Sequence, residues 1–302
     1  MHKLTKELID DSSFEFLSSY LDVDLRENRE SYKEIISTTK DIINNSLEKA
    51  KENLEQGNYK GSECAREIAN LYDHVIKNYY KYLNAHNYIS QNKTDFEKMA
   101  IIATGGYGRG KISPGSDIDL LFLMPFKKTA WAESVTENLL YFLWDLGLKI
   151  GHATRNINEC LTLSAQDQTI TTSLLDARYI CGDNEVKKVF DKKFRNTISK
   201  RSSKEFIDAK LEERESRHIK EGQSRYLVEP NIKNGKGGLR DLESLCWMTN
   251  FCYQASRPEQ MVKKGVLTQR EADSFKKCED FLWYIRCQLH FIEKNPNDII
   301  NF

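Results

Sequence analysis

Asp117 and Asp119 stand at i and i+2 at the head of the run Asp117-Ile118-Asp119-Leu120-Leu121-Phe122-Leu123-Met124. On an extended strand that spacing sends both side chains to one face. Two neighbouring carboxylates repel unless a cation lies between them, and hard oxygen donors select Mg2+ or Mn2+. Asp119 leads straight into an apolar stretch, where an unpaired charge would be costly. Just upstream, Gly105-Gly106-Tyr107-Gly108-Arg109-Gly110 places four glycines in six residues. Such a segment turns sharply and lets a ligand approach the backbone closely, and successive N–H groups in a turn form an anion-binding concavity. The chemistry implied is a metal clamp beside a phosphate loop.

Two other phosphate motifs fit less well. Gly105 to Lys111 matches G-x-x-x-x-G-K, but Ile112 stands where that loop needs Ser or Thr. Pro114 and Asp117 also follow too soon for the long helix such a loop opens. The dinucleotide pattern G-x-G-x-x-G fails because Gly106 and Gly108 would require glycine at Lys111.

The elements that must hold these residues follow from periodicity. Met99 to Thr104 is a short apolar run closed by glycines and reads as a buried strand; Asp117 to Met124, ending at Pro125, reads as a second. Trp131 to Leu148 is helical, with Trp131, Val135, Leu139, Phe142, Leu143 and Leu146 on one side. Lys149 to Arg155 reads as a third, weaker strand that offers His152 and Arg155 but no acid. Before this unit, a helix is expected to open at Ser62 as N-cap and to bury Ile68, Leu71, Tyr72, Val75, Tyr79, Tyr82 and Leu83. From about residue 200 the pattern is helical again, apart from a loop at Glu229 to Gly238. The picture is a small α/β unit between two helical regions.

Composition narrows the class. Lys plus Arg and Asp plus Glu number 45 each, a balance that argues against a nucleic-acid partner. The apolar runs are far shorter than the ~20 residues of a membrane span, and Met1 to Glu7 lacks a secretory pattern, so a cytoplasmic chain is expected. Seven widely spread cysteines with no C-x-x-C suggest buried thiols rather than disulfides or zinc.

The order strand, Gly-Gly turn, D-x-D strand resembles the DNA polymerase β-like nucleotidyltransferases, in which the first carboxylates bind divalent metal and the glycine turn grips a nucleoside triphosphate. Gly105 to Gly110 and Ser116-Asp117-Ile118-Asp119-Leu120 resemble, more narrowly, the bacterial protein-PII uridylyltransferase/uridylyl-removing family. So do Leu174 to Arg178 with Gly182-Asp183, Glu229-Pro230-Asn231-Ile232-Lys233, and Gly237 to Leu242 with Trp247. Two departures stand out: Lys111 where an acidic residue is expected, and Gly115 where an aromatic is common.

The resemblance implies an α+β fold, a small mixed-sheet nucleotidyltransferase domain (98–200) flanked by N-terminal helices (1–97) and a C-terminal helical domain (201–302). It implies transfer of UMP from UTP to a tyrosine hydroxyl of the PII protein, with Mg2+ or Mn2+ on Asp117 and Asp119. Gly105, Gly106, Gly108 and Ser116 would contact the nucleotide. Arg109 and Lys111 would reach the outer phosphates, or be merely solvated. Superfamily members add a third carboxylate; Asp167 and Asp176 are available, and Asp176 is chosen, with capping or pairing to Arg178 as its alternative. Lys233, Lys236 and Arg240 would close over the nucleotide, unless that loop is an interdomain turn fixed by Arg240 and Asp241. Relatives continue into a histidine-aspartate hydrolase domain and glutamine-sensing ACT domains. This sequence ends at Phe302 without a His-Asp dipeptide, so both functions are expected to be absent. The competing readings are another nucleotide or acceptor, or a non-catalytic remnant that only binds.

Overall fold

The computed structural model describes residues 8–21, 28–86, 97–222, 229–293 and 297–301; the Met1 to Glu7 stretch lies outside them. After a 3-10 helix at Asp11–Tyr20 come α1 (Arg29–Glu55) and α2 (Gly61–His86). The central unit runs β1 (Ala100–Ala103), α3 (Gly105–Gly108), β2 (Ile118–Met124), α4 (Ala130–Asp145) and β3 (Ile150–Asn156). It continues through α5 (Ile157–Gln166), α6 (Gln168–Leu175), β4 (Arg178–Gly182) and α7 (Asn184–Ile198). Behind it stand α8 (Ser203–Lys220), α9 (Leu239–Tyr253), α10 (Pro258–Lys263) and α11 (Gln269–Ile292).

The sheet is mixed, in the order β3-β2-β1-β4. β1 pairs antiparallel with β2 and β4, and β2 pairs parallel with β3. The two-residue period of β2 decides which helices each side chain meets. Ile118, Leu120, Phe122 and Met124, with Met99, Ile101 and Ala103, pack against α2 and α4, where Tyr79 stacks on Phe142. Leu121 and Leu123, with Ala100 and Ile102, face the second core formed with Phe190, Phe194, Phe206, Trp247 and Phe251. Asp119 shares the parity of Leu121, so it opens toward the C-terminal helices.

The expected apolar stripe of α2 is buried along its whole length. Its start differs from expectation: the helix opens at Gly61, and Ser62 is no N-cap. The Ser62 amide and hydroxyl both donate to Asp280 Oδ1, at 3.0 and 2.7 Å. The cause is the crossing with α11, which brings Tyr284 N to 2.0 Å from the place of a Cβ on Gly61. Only glycine lets the two backbones approach this closely. The strand at Arg178–Gly182 was not foreseen. Of the seven cysteines, four are buried, two half-buried and one exposed, and all are free. No described helix is long and apolar enough to cross a membrane.

Candidate active site

The glycine turn leaves β1 and becomes a single helical turn, α3. Thr104 N donates to Asp119 O at 3.0 Å, tying the start of the turn to β2. Tyr107 is fully buried and donates its hydroxyl to Asp73 of α2, which also receives the Arg178 guanidinium from β4. Burial and the Asp73 charge push the Tyr107 phenol well up. The turn is thus bolted to α2 and to the far edge of the sheet.

Gly105 sits at φ +54°, and a Cβ there would lie 2.8 Å from Asp119 Oδ2. In the β2–β3 register Gly151 lies opposite Asp119, and a Cβ on Gly151 would lie 2.3 Å from Asp119 Oδ1. Two glycines therefore clear the space around one carboxylate. Burial, and then the neighbouring Asp117, raise the Asp119 carboxyl; Lys233 and Arg109 pull it back. Asp117 itself is exposed, just before the strand begins. Two carboxylates whose charges oppose each other, with room kept around one of them, suit a hard divalent cation completed by substrate oxygens and water. Among the described residues, no group of three or more His, Cys, Asp or Glu is placed to hold a metal.

Gly151→Ala is accordingly expected to displace the Asp119 carboxylate. The shift should lower the melting temperature, since over-packing costs roughly 1–3 kcal/mol. Thermal melting of wild type and variant checks this, and equal melting would show that Gly151 is not what clears space around Asp119.

A cleft of about 570 Å3 opens in front of Asp119. Its walls include Gly105, Gly106 and Arg109 from the turn, His152 and Arg155 from β3, and Asp176 beyond α6. Lys210, Glu213 and Arg217 of α8 and Arg240 and Trp247 of α9 close the other side. Of the residues singled out in the sequence, Gly105, Gly106, Arg109, Asp119, Asp176 and Arg240 meet here, and Asp167 lines the wall as well.

Others are placed elsewhere. A Cβ on Gly108 would lie 2.3 Å from Asp176 O, so this glycine serves close packing behind the cleft. Lys111 is paired with Glu279 of α11 at 2.6 Å. Ser116 Oγ lies 2.7 Å from Ser113 Oγ and 3.5 Å from Arg286 Nη2. Lys233 Nζ lies 3.7 Å from Asp298 Oδ2. Burial, then Arg286, lower the Lys233 ammonium, while its charge acts on Asp119. Asp298 also accepts from Arg286 Nε at 2.7 Å, and His290 Nδ1 lies 2.5 Å from Pro114 O. α11 thereby props the loop that precedes Asp117.

Arg109 is the centre of a buried charge cluster. Its Nη1 donates to Asp176 Oδ2 at 2.7 Å and its Nη2 to Glu243 Oε1 at 2.5 Å. Trp247 Nε1 donates to the same Asp176 oxygen at 2.8 Å, and Arg240 pairs with Glu243 at 2.8 Å. Burial raises the Asp176 carboxyl against the pull of Arg109 and Trp247. Burial opposes the Glu243 anion too, but Arg109 and Arg240 together hold its carboxyl below the usual range. Asp176 thus pairs with Arg109 rather than with Arg178, which is taken by Asp73.

The amides of Leu239 and Arg240 at the start of α9 donate to Ile232 O and Lys233 O. Asp241 accepts from Gly237 N at 2.8 Å and from Arg217. This loop is a turn braced against α8. The sequence reading missed Gly151, Glu243, Lys210 and Arg217. A glycine inside a strand was a usable signal for the first, and Arg240, Glu243 and Trp247 at helical spacing for the second.

A mixed sheet with its glycine turn and D-x-D strand, opening on a cleft closed by helices, defines a nucleotidyltransferase domain of the polymerase β-like type. Residues 86–179 match the family described as nucleotidyltransferase domain, and residues 205–302 the one described as GlnD PII-uridylyltransferase. The chain is 46% identical, over 242 residues, to a bifunctional uridylyltransferase/uridylyl-removing enzyme of Bradyrhizobium sp. strain BTAi1. It is 45% identical over the same length to the enzyme so named in strain ORS 278. In both cases the match covers 80% of this chain and 26% of the relative, so the chain spans about a quarter of the length of the relatives it matches. The chain thus carries a nucleotidyltransferase domain and, behind it, helices that match the GlnD PII-uridylyltransferase family, and it is similar to one part of the uridylyltransferase/uridylyl-removing enzymes.

Proposed function

We propose that this chain transfers a uridylyl group from UTP to a tyrosine hydroxyl of the PII signalling protein. The observation that carries the reading is Asp119, close enough to Asp117 to feel its charge and lining a cleft with Gly105, Gly106 and Gly151, in a chain whose relatives are named uridylyltransferases. In the reaction the phenolic oxygen bonds to the α-phosphorus, the bond from that phosphorus to the bridging β-oxygen breaks, and pyrophosphate leaves with the electron pair while the phenol gives up its proton. Such a transfer asks mainly for positioning and charge neutralisation.

Asp117 and Asp119 would hold Mg2+, which when bound neutralises charge on the phosphates. Gly105 and Gly106 let the triphosphate approach the backbone, and Gly151 keeps the Asp119 carboxylate free to turn toward it. The Arg109 cluster fixes the turn against α9, so that both walls of the cleft hold their spacing.

The test is to incubate the protein with Mg2+, PII and α-labelled UTP, then with labelled ATP, using Asp117→Asn as control. Label on PII from UTP, lost in the variant, is the expected result. Label from ATP instead would change the nucleotide assigned, and no label from either in the folded protein would overturn the transferase reading.

A further inference from the structure

A nucleoside triphosphate in this cleft needs a cation for its outer phosphates, and the two residues that the sequence offered for that task are engaged elsewhere. Arg109 is shared between Asp176 and Glu243, and Lys111 is paired with Glu279 outside the cleft wall. The other basic residues of the wall are also matched: Lys210 with Glu213, Arg217 with Asp241 and Arg240 with Glu243. Arg155 is different. It lines the cleft half-buried on β3, and among the described residues no carboxylate or hydrogen-bond acceptor engages it. Five basic side chains face this cleft, and one keeps its charge uncompensated.

Its place suits the pyrophosphate end of a nucleotide. Arg155 lies opposite Leu123 in the β2–β3 register, on the same sheet face as Asp119. Leu123 lies four steps along β2 from Asp119, about 13 Å at the rise of a parallel strand. A long arginine side chain and an extended triphosphate together bridge such a span. A planar guanidinium with free donors binds phosphate oxygens bidentately. We propose that Arg155 grips the β- and γ-phosphates of the bound nucleotide, and with them the departing pyrophosphate. The inference rests on the transferase reading above and adds to it the residue that holds the leaving group.

Titration calorimetry with Mg2+ and, in turn, pyrophosphate, UTP and UMP tests this on wild type, Arg155→Ala and Arg155→Lys, with thermal melting as a check on folding. Loss of a charge-assisted contact is expected to weaken pyrophosphate and UTP by roughly 10- to 150-fold in the alanine variant. UMP, which lacks the outer phosphates, should bind as before, and lysine should restore part of the affinity. If Arg155→Ala binds pyrophosphate as wild type does, or loses UMP equally, the assignment to the outer phosphates is wrong. If wild type itself binds neither UTP nor pyrophosphate, the transferase reading falls and this inference with it.

Discussion

Asp119→Asn is expected to reduce the proposed uridylyl transfer by at least about a hundredfold, the scale seen when a group that stabilises developing charge is removed, while leaving the metal-free protein at least as stable as wild type at neutral pH. The second half follows from the direction of its titration. Burial and the adjacent Asp117 raise the folded-state carboxyl above its ordinary value. Between its unfolded and folded titrations the native protein therefore holds the proton more tightly, so this group's contribution to stability is lost as pH rises through that window. Above it, the ionised Asp119 is a liability that asparagine removes at nearly the same shape. Mg2+ held as proposed would offset that liability in the wild type and raise its melting temperature, whereas the variant should show no such rise. Calorimetric melting with and without Mg2+ separates the cases. A variant that still gains stability from Mg2+ would show that the metal lies elsewhere. Asp117→Asn is expected to cost activity similarly and to bring the Asp119 titration back toward its usual value.

The parts of this site visible in the sequence were those written in local spacing. The alternation of Asp119, Leu121 and Leu123 placed the Asp119 carboxylate on one sheet face because the strand period is two, whereas Asp117 falls just before the strand, and the glycine cluster marked the turn. The α2 stripe followed from helical period in the same way. β4 was invisible because Arg178-Tyr179-Ile180-Cys181-Gly182 is short and is made a strand by pairing with β1, a contact nearly 80 residues away in sequence. The start of α2 was misjudged because Gly61 answers to the backbone of α11 rather than to its own cap. Arg109 and Lys111 read as phosphate ligands for a related reason. A basic residue in a glycine loop looks free until its acids arrive, and those of Arg109 come from positions 67 and 134 residues further along. Arg155 stood out only once every other cation of the cleft had found its partner.

Arg109→Ala is the change with the largest expected effect on stability. It would leave Asp176 and Glu243 facing each other without the guanidinium between them, and both side chains are about nine-tenths buried. Removing one partner from a buried charge cluster typically costs about 3–5 kcal/mol, because the remaining charge stays desolvated. For a chain of this size the melting temperature should fall by roughly 10 °C. Arg240 still reaches Glu243 and Trp247 still donates to Asp176, which sets the cost toward the lower end. A phosphate ligand would behave differently: its loss would raise the UTP KM and leave melting unchanged. The double variant Arg109→Met with Glu243→Gln distinguishes the two further, since removing charge from both sides should recover much of the lost stability. If Arg109→Ala melts with wild type and only the KM rises, Arg109 belongs to the nucleotide. If melting falls and the double variant recovers it, Arg109 is the clamp that holds the glycine turn against α9, and the cleft keeps its shape because that buried charge is shared.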